Sequence, residues 1–152
     1  MKKQFLTIAV AIVLLVTGSV AHATGNNNKA VTTHAKIIKD FNQEFLVAPS
    51  ITTTDKGFLA TSIIDGRKVD VVYNKNGNRK YSVVRYGFDN LDKNVIDIVK
   101  KEYDKYFITS MQKVEQKGFD AVYLVQLTDA TSVKTIKITN EGSELLQSLE
   151  RI

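Results

Sequence analysis

Tyr81 and Arg85 stand on a stretch, Arg79 to Tyr86, that alternates as a β-strand, so their side chains point to one side of the sheet it joins. Tyrosine and arginine are the residues most enriched where binding energy concentrates. The chemistry they offer is recognition, an aromatic surface beside a planar cation with several N–H donors. Material for catalysis is thinner. His34 is the one histidine after residue 23, it falls on a helical stripe, and no Gly-x-Ser-x-Gly turn supplies a nucleophile for it. Asp89, Asp92, Asp97 and Glu102 are scattered along a helical stretch, whereas glycoside hydrolysis needs two acids at a defined separation in a cleft. Asn74-Lys75-Asn76-Gly77-Asn78 lacks the acids and closing glutamate of a calcium loop and reads as a hairpin turn. The chain has no cysteine, which removes disulfides, thiolate metal sites, a cysteine nucleophile and a lipidated cysteine. No catalytic, cofactor or metal site is expected.

The elements that must position Tyr81 and Arg85 follow from hydrophobic period. His34, Ile37, Ile38, Phe41 and Phe45 mark one face of a helix, with Thr32 or Thr33 as its N-cap and Pro49 beyond its end. Phe58 to Ile64, Arg67 to Tyr73 and Arg79 to Tyr86 alternate as strands, joined by turns at Asp65-Gly66 and Asn76-Gly77. Asn90 can cap a second helix with Leu91, Val95, Ile98, Val99, Tyr103 and Tyr106 as its buried stripe. Phe107 to Glu115 is extended, Phe119 to Leu127 alternates, Asp129 to Ser132 turns and Val133 to Thr139 returns. Ser143 to Ile152 has helical composition but occupies the place of a strand in the first half, and a strand is expected.

The halves echo each other. Lys56-Gly57-Phe58 opens the first meander and Lys117-Gly118-Phe119 the second, 61 positions on, while Asn76-Gly77 and Glu141-Gly142 close them 65 apart. The expected fold is α+β, two tandem helix-plus-antiparallel-meander units, about 32–88 and 89–152, behind a signal peptide. A unit of that size without disulfides buries too little surface alone, so the two should pack as one compact body spanning 32–152.

Residues 1–23 read as a secretory signal peptide: Lys2 and Lys3, an apolar run from Phe5 to Val16, and an A-x-A cleavage site at Ala21 and Ala23. Residues 24–31 read as a flexible leader. The run is short for a membrane span, and no later run is longer. The formal charge of +5 falls to +3 without Lys2 and Lys3, and the basic residues are dispersed, which gives no argument for nucleic acid.

Three segments together, Tyr73-Asn74-Lys75-Asn76-Gly77, the helix from Leu91 to Tyr106 with Ile108 after it, and the strand from Phe119 to Leu127 leading to Thr139-Asn140-Glu141-Gly142, resemble the PepSY-like family of bacterial envelope proteins. That family is also described as similar to β-lactamase inhibitor proteins. Departures are Phe58 in place of a frequent tryptophan, and Asp92 where a proline commonly follows the leucine that opens the second helix. The resemblance implies an antiparallel-sheet α+β fold, a periplasmic or secreted location, and binding of an envelope protein or polymer, with modulation of a peptidase as its specific form. Fold similarity does not carry over inhibition of a β-lactamase. The expected function is a non-enzymatic, inhibitor-like binding module with Tyr81 and Arg85 on its partner face. The alternatives are a carboxylate-dependent hydrolase of envelope glycan or peptide, and a structural or adhesion module.

Overall fold

The computed structural model describes residues 27–150. In chain order the elements are α1 (Asn27–Phe45), β1 (Ser50–Thr54), β2 (Gly57–Ile64), β3 (Arg67–Asn74), β4 (Arg79–Tyr86), a 3-10 turn (Phe88–Asn90), α2 (Lys93–Glu102), β5 (Phe107–Glu115), β6 (Val122–Thr128), β7 (Ser132–Thr139) and β8 (Gly142–Glu150). The strands form one antiparallel sheet in which spatial order is chain order. Each helix thus precedes four strands of a single α+β body. The Asp65-Gly66 turn has positive φ at both residues, the geometry that matches the right-handed twist of flanking strands.

Both helices lie on the same face of the sheet. Ile37 and Phe41 of α1 pack with Ala60, Val69, Val71 and Tyr73 of β2 and β3. Val95 and Val99 of α2 pack with Met111, Val125, Leu127, Ile136 and Ile138 of β5, β6 and β7. Register carries that face across the middle, since Val69 lies opposite Val84 and Tyr86 opposite Met111. A tyrosine hydroxyl tethers each helix: Tyr73 donates to the Asp40 carboxylate of α1 at 2.8 Å, and Tyr123 donates to Asp92 at the start of α2, also at 2.8 Å.

Several local expectations change. α1 begins at Asn27, so 27–31, expected within the flexible leader, is helical and Thr32 and Thr33 lie inside the helix. Lys29-Ala30 offers nothing to break a helix, and the apolar stripe marks where packing starts rather than where the helix does. Ile38 is 41% exposed, because the sheet meets the Ile37–Phe41 line instead. The cap of α2 is Asp92, whose side chain accepts the Asn94 N–H at 3.0 Å, while Asn90 donates to the Asp65 carbonyl. Phe119 is exposed in a turn, and β6 starts only at Val122. The expected strand at the end is β8, formed over Gly142–Glu150. The cleavage site at Ala21 and Ala23 lies outside the described residues.

The echo between halves also has a different spacing. Buried helix positions correspond 58 apart (Ile37 with Val95, Phe41 with Val99), and strand positions 65 apart (Ala60 with Val125, Val71 with Ile136). Gly57 opens β2 where a Cβ would lie 2.1 Å from the Tyr73 carbonyl oxygen, whereas Gly118 sits in open space. The two Lys-Gly-Phe triplets are therefore not equivalent in the fold.

Burial, with the carboxylate beside it, raises the Tyr73 hydroxyl above its ordinary range; burial first and Asp92 second raise that of Tyr123. A group whose folded pKa lies above its unfolded value stabilises fully below the unfolded value, about pH 10 for tyrosine, and loses that contribution as pH rises beyond it. Urea midpoints should therefore hold to about pH 10 and then fall. Tyr73→Phe should cost about 1–2 kcal/mol at neutral pH and flatten the alkaline decline. An alkaline profile unchanged in both Tyr73→Phe and Tyr123→Phe would contradict the tethers.

Candidate functional site

The face opposite the helices is the one to which Tyr81 and Arg85 belong. Tyr81 lies opposite Val72 of β3, and Arg85 opposite Lys68 of β3 and Gln112 of β5. Between them Val83 lies opposite Asp70 and Val114, and Val114 opposite Val122. Val83, Val114, Val122 and Leu124 are buried although no helix among the described residues covers this side. Their cover is the set of taller side chains around them: Tyr81 packs on Val83 and Val114, and Gln112 and Lys137 flank Leu124 in register. Burial raises the Tyr81 hydroxyl above its usual pKa.

Arg85 is less free than the sequence suggests. Its guanidinium is ion-paired and hydrogen-bonded to Asp70, whose residue is only 5% exposed. Asp70 also accepts the Thr61 hydroxyl at 2.6 Å and has Lys68 Nζ at 3.9 Å. A buried carboxylate on an uncovered face is costly unless charged and polar partners surround it. Arg85, Thr61 and Lys68 supply them, from strands β4, β2 and β3. Sequence alternation put Lys68 and Asp70 on one face. The β3–β4 register, which shifts between Val72 and Tyr73, is not recorded in either strand's own pattern, and it is this register that brings Arg85 to Asp70.

That shift leaves Lys80 as the extra residue of a bulge and turns Arg79 to the helix face. There Arg79 binds Glu44 of α1 through two contacts, one at 3.0 Å, and Ser82 at 2.9 Å. Arg79 therefore joins a helix to the sheet, while Arg85 organises the open face.

The remaining candidates have structural places. His34 stands edge-on to Phe58 with ring centroids 5.2 Å apart, and its Nε2 is shielded from solvent without a hydrogen-bond partner. Asn74 accepts the backbone N–H of Asn76 and of Asn78, fixing the hairpin turn rather than a cation. Among the described residues no group of three or more His, Asp or Glu is arranged to hold a metal, and no helix is long and apolar enough to cross a membrane.

Neither a family model nor a curated protein matches the sequence. Solved structures do match in fold. A DUF2874 family protein from Bacteroides ovatus aligns over 84% of this chain and 89% of its own with a TM-score of 0.57 and 14% identity. A BLIP-like protein from Bacteroides fragilis aligns over 76% and 84%, at 0.57 and 16%. The fold is BLIP-like. A candidate periplasmic protein from Bacteroides eggerthii shares it, over 76% and 86%, at a TM-score of 0.57 and 12% identity. At these identities the likeness is one of architecture.

Removing one partner of the Asp70–Arg85 pair leaves the other charge uncompensated. Arg85→Ala should destabilise by about 3 kcal/mol or more in urea unfolding. Asp70→Asn combined with Arg85→Gln should cost less than Arg85→Ala alone. A double-variant loss equal to the sum of the Asp70→Asn and Arg85→Gln losses would show that the pair is not coupled.

Proposed function

We propose that this chain is an exported, non-enzymatic, inhibitor-like binding module of the bacterial cell envelope. It docks a protein partner on the helix-free face of its sheet, with Tyr81 and Arg85 at the contact. The observation that carries this is a sheet face that no described helix covers, on which Ile63 is exposed and Tyr81 and Arg85 stand half-buried around a closed apolar centre of Val83, Val114, Val122 and Leu124. An aromatic and an arginine at the border of an apolar centre are what protein recognition uses. The BLIP-like fold, with a candidate periplasmic protein among the structures that share it, supports the export and binding parts. Membership of the PepSY-like envelope proteins, cleavage after Ala23, and modulation of a peptidase or another envelope protein are the specific form of the same reading. So is descent of the two halves, about 32–88 and 89–152, from one repeated unit, which the strand spacing of 65 supports.

The hydrolase alternative draws on paired carboxylates, but Asp70 is the only buried acid among the described residues and is held by Arg85 and Thr61. The adhesion alternative draws on the open edges β1 and β8. There the register shift between Thr135 and Ile136 leaves Leu146 as an extra residue in β8, which interrupts a continuous ladder.

Capture of envelope proteins on residues 24–152 should yield a reproducible partner that is lost, by about tenfold or more, with Tyr81→Ala plus Arg85→Gln. Circular dichroism and melting would establish that the double variant is folded. Undiminished capture by a folded variant would overturn the proposal.

A further inference from the structure

We propose that the partner presents a carboxylate from an acidic protein segment to a row formed by Lys68, Arg85 and Gln112, with neighbouring apolar groups of that segment resting on Ile63, Val72 and Tyr81. This rests on the helix-free face being the docking surface, and it names the chemistry that surface selects. The three residues are direct cross-strand neighbours on β3, β4 and β5, so they form a line across the sheet at about 4.8 Å per strand. The next line along the strands is Asp70, Val83 and Val114. That line is buried, and the accessible apolar surface is Ile63, which lies opposite Lys68 at the end of the row and is 75% exposed, with the half-buried pair Val72 and Tyr81 further along the strands.

Charge on this face is unbalanced at that point. Its strand cations are Lys68, Arg85 and Lys137, and its strand acids are Asp70 and Glu144. Glu144 is taken by Lys137 at 2.8 Å. Asp70 alone must serve both Lys68 and Arg85, and it is also bound by Thr61. The centre of the face therefore keeps one positive charge, with Arg85 positioned by its hydrogen bond to Asp70 and the Lys68 ammonium half exposed beside it. Arg85 has Asp70 as its only acceptor among the described residues, which leaves further N–H donors for a second carboxylate. Gln112 turns its amide oxygen inward, where it has no hydrogen-bond partner, so its NH2 group is the end that an acceptor meets. The apolar side chains near these donors favour a protein segment over a glycan, because Ile63, Val72 and Tyr81 give an aromatic or aliphatic side chain a surface to cover.

The probe is a short synthetic peptide alternating Glu and Phe, titrated into isotopically labelled protein and followed at the Arg85 Nε–H and Gln112 side-chain amide signals. It should shift both, weaken with added salt, and lose about tenfold in affinity with Lys68→Gln, a variant that leaves the buried Asp70–Arg85 pair in place. A matched Gln/Phe peptide should leave these signals unmoved. Equal binding of the two peptides, or shifts confined to the helix side, would overturn the carboxylate preference. Binding of alginate at least as tight as the Glu/Phe peptide and insensitive to Tyr81→Ala would overturn the protein segment in favour of an anionic polymer. If the peptide fails while envelope capture still depends on Tyr81, the carboxylate proposal falls and the docking face stands. If capture is also independent of Tyr81 and Arg85, the docking face itself falls.

Discussion

Eight strands in one sheet have two faces to cover, and the described residues supply two helices, both packed on the same one. That constraint shapes everything else. Ile37 and Phe41 of α1 and Val95 and Val99 of α2 bury the apolar residues of alternate strand positions, and the Tyr73–Asp40 and Tyr123–Asp92 hydrogen bonds fix each helix laterally. Fully buried aliphatic and aromatic side chains contribute on the order of 2 kcal/mol each, so the packed stripes dominate and the tyrosine bonds set position. With no cysteine available for cross-links, this packing carries the stability of the fold.

The second face then has no covering layer among the described residues, and its own side chains must hold it together. It does so with large side chains over small ones, and with one buried ion pair. Asp70 is tolerable there only because Arg85, Thr61 and Lys68 converge on it. A buried pair of this kind is weak evidence for net stability, since an apolar replacement is often as good. What it supplies is order: Arg85 is held in one place beside Val83 and Tyr81. An arginine already immobilised loses less conformational freedom when a partner arrives, which is a reason to find it at a recognition surface.

Much of the framework was legible in the sequence. Alternation at Val69, Val71 and Tyr73 and the Asp65-Gly66 turn fixed a hairpin, because a two-residue period and a turn that needs positive φ leave few other solutions. The side shared by Tyr81 and Arg85 was legible for the same reason. Less local features were not. Asp92, Asn90 and the start of α1 depend on which polar group the folded chain brings near a free N–H, and several candidates sat within a few residues of each other. The bulges at Lys80 and Leu146 shift register between strands, which no single strand's pattern records. Hence the ion pair of Arg85 with Asp70, and the turn of Arg79 towards Glu44, emerged only with the fold.

A BLIP-like sheet with one face covered and the other open makes a geometric claim that can be tested in place. A photo-crosslinking amino acid at Gln126, exposed on the helix-free face, and another at Lys100, exposed on α2, would be compared in intact cells. A discrete adduct is expected from position 126 and none from position 100. Adducts from position 100 alone would contradict it.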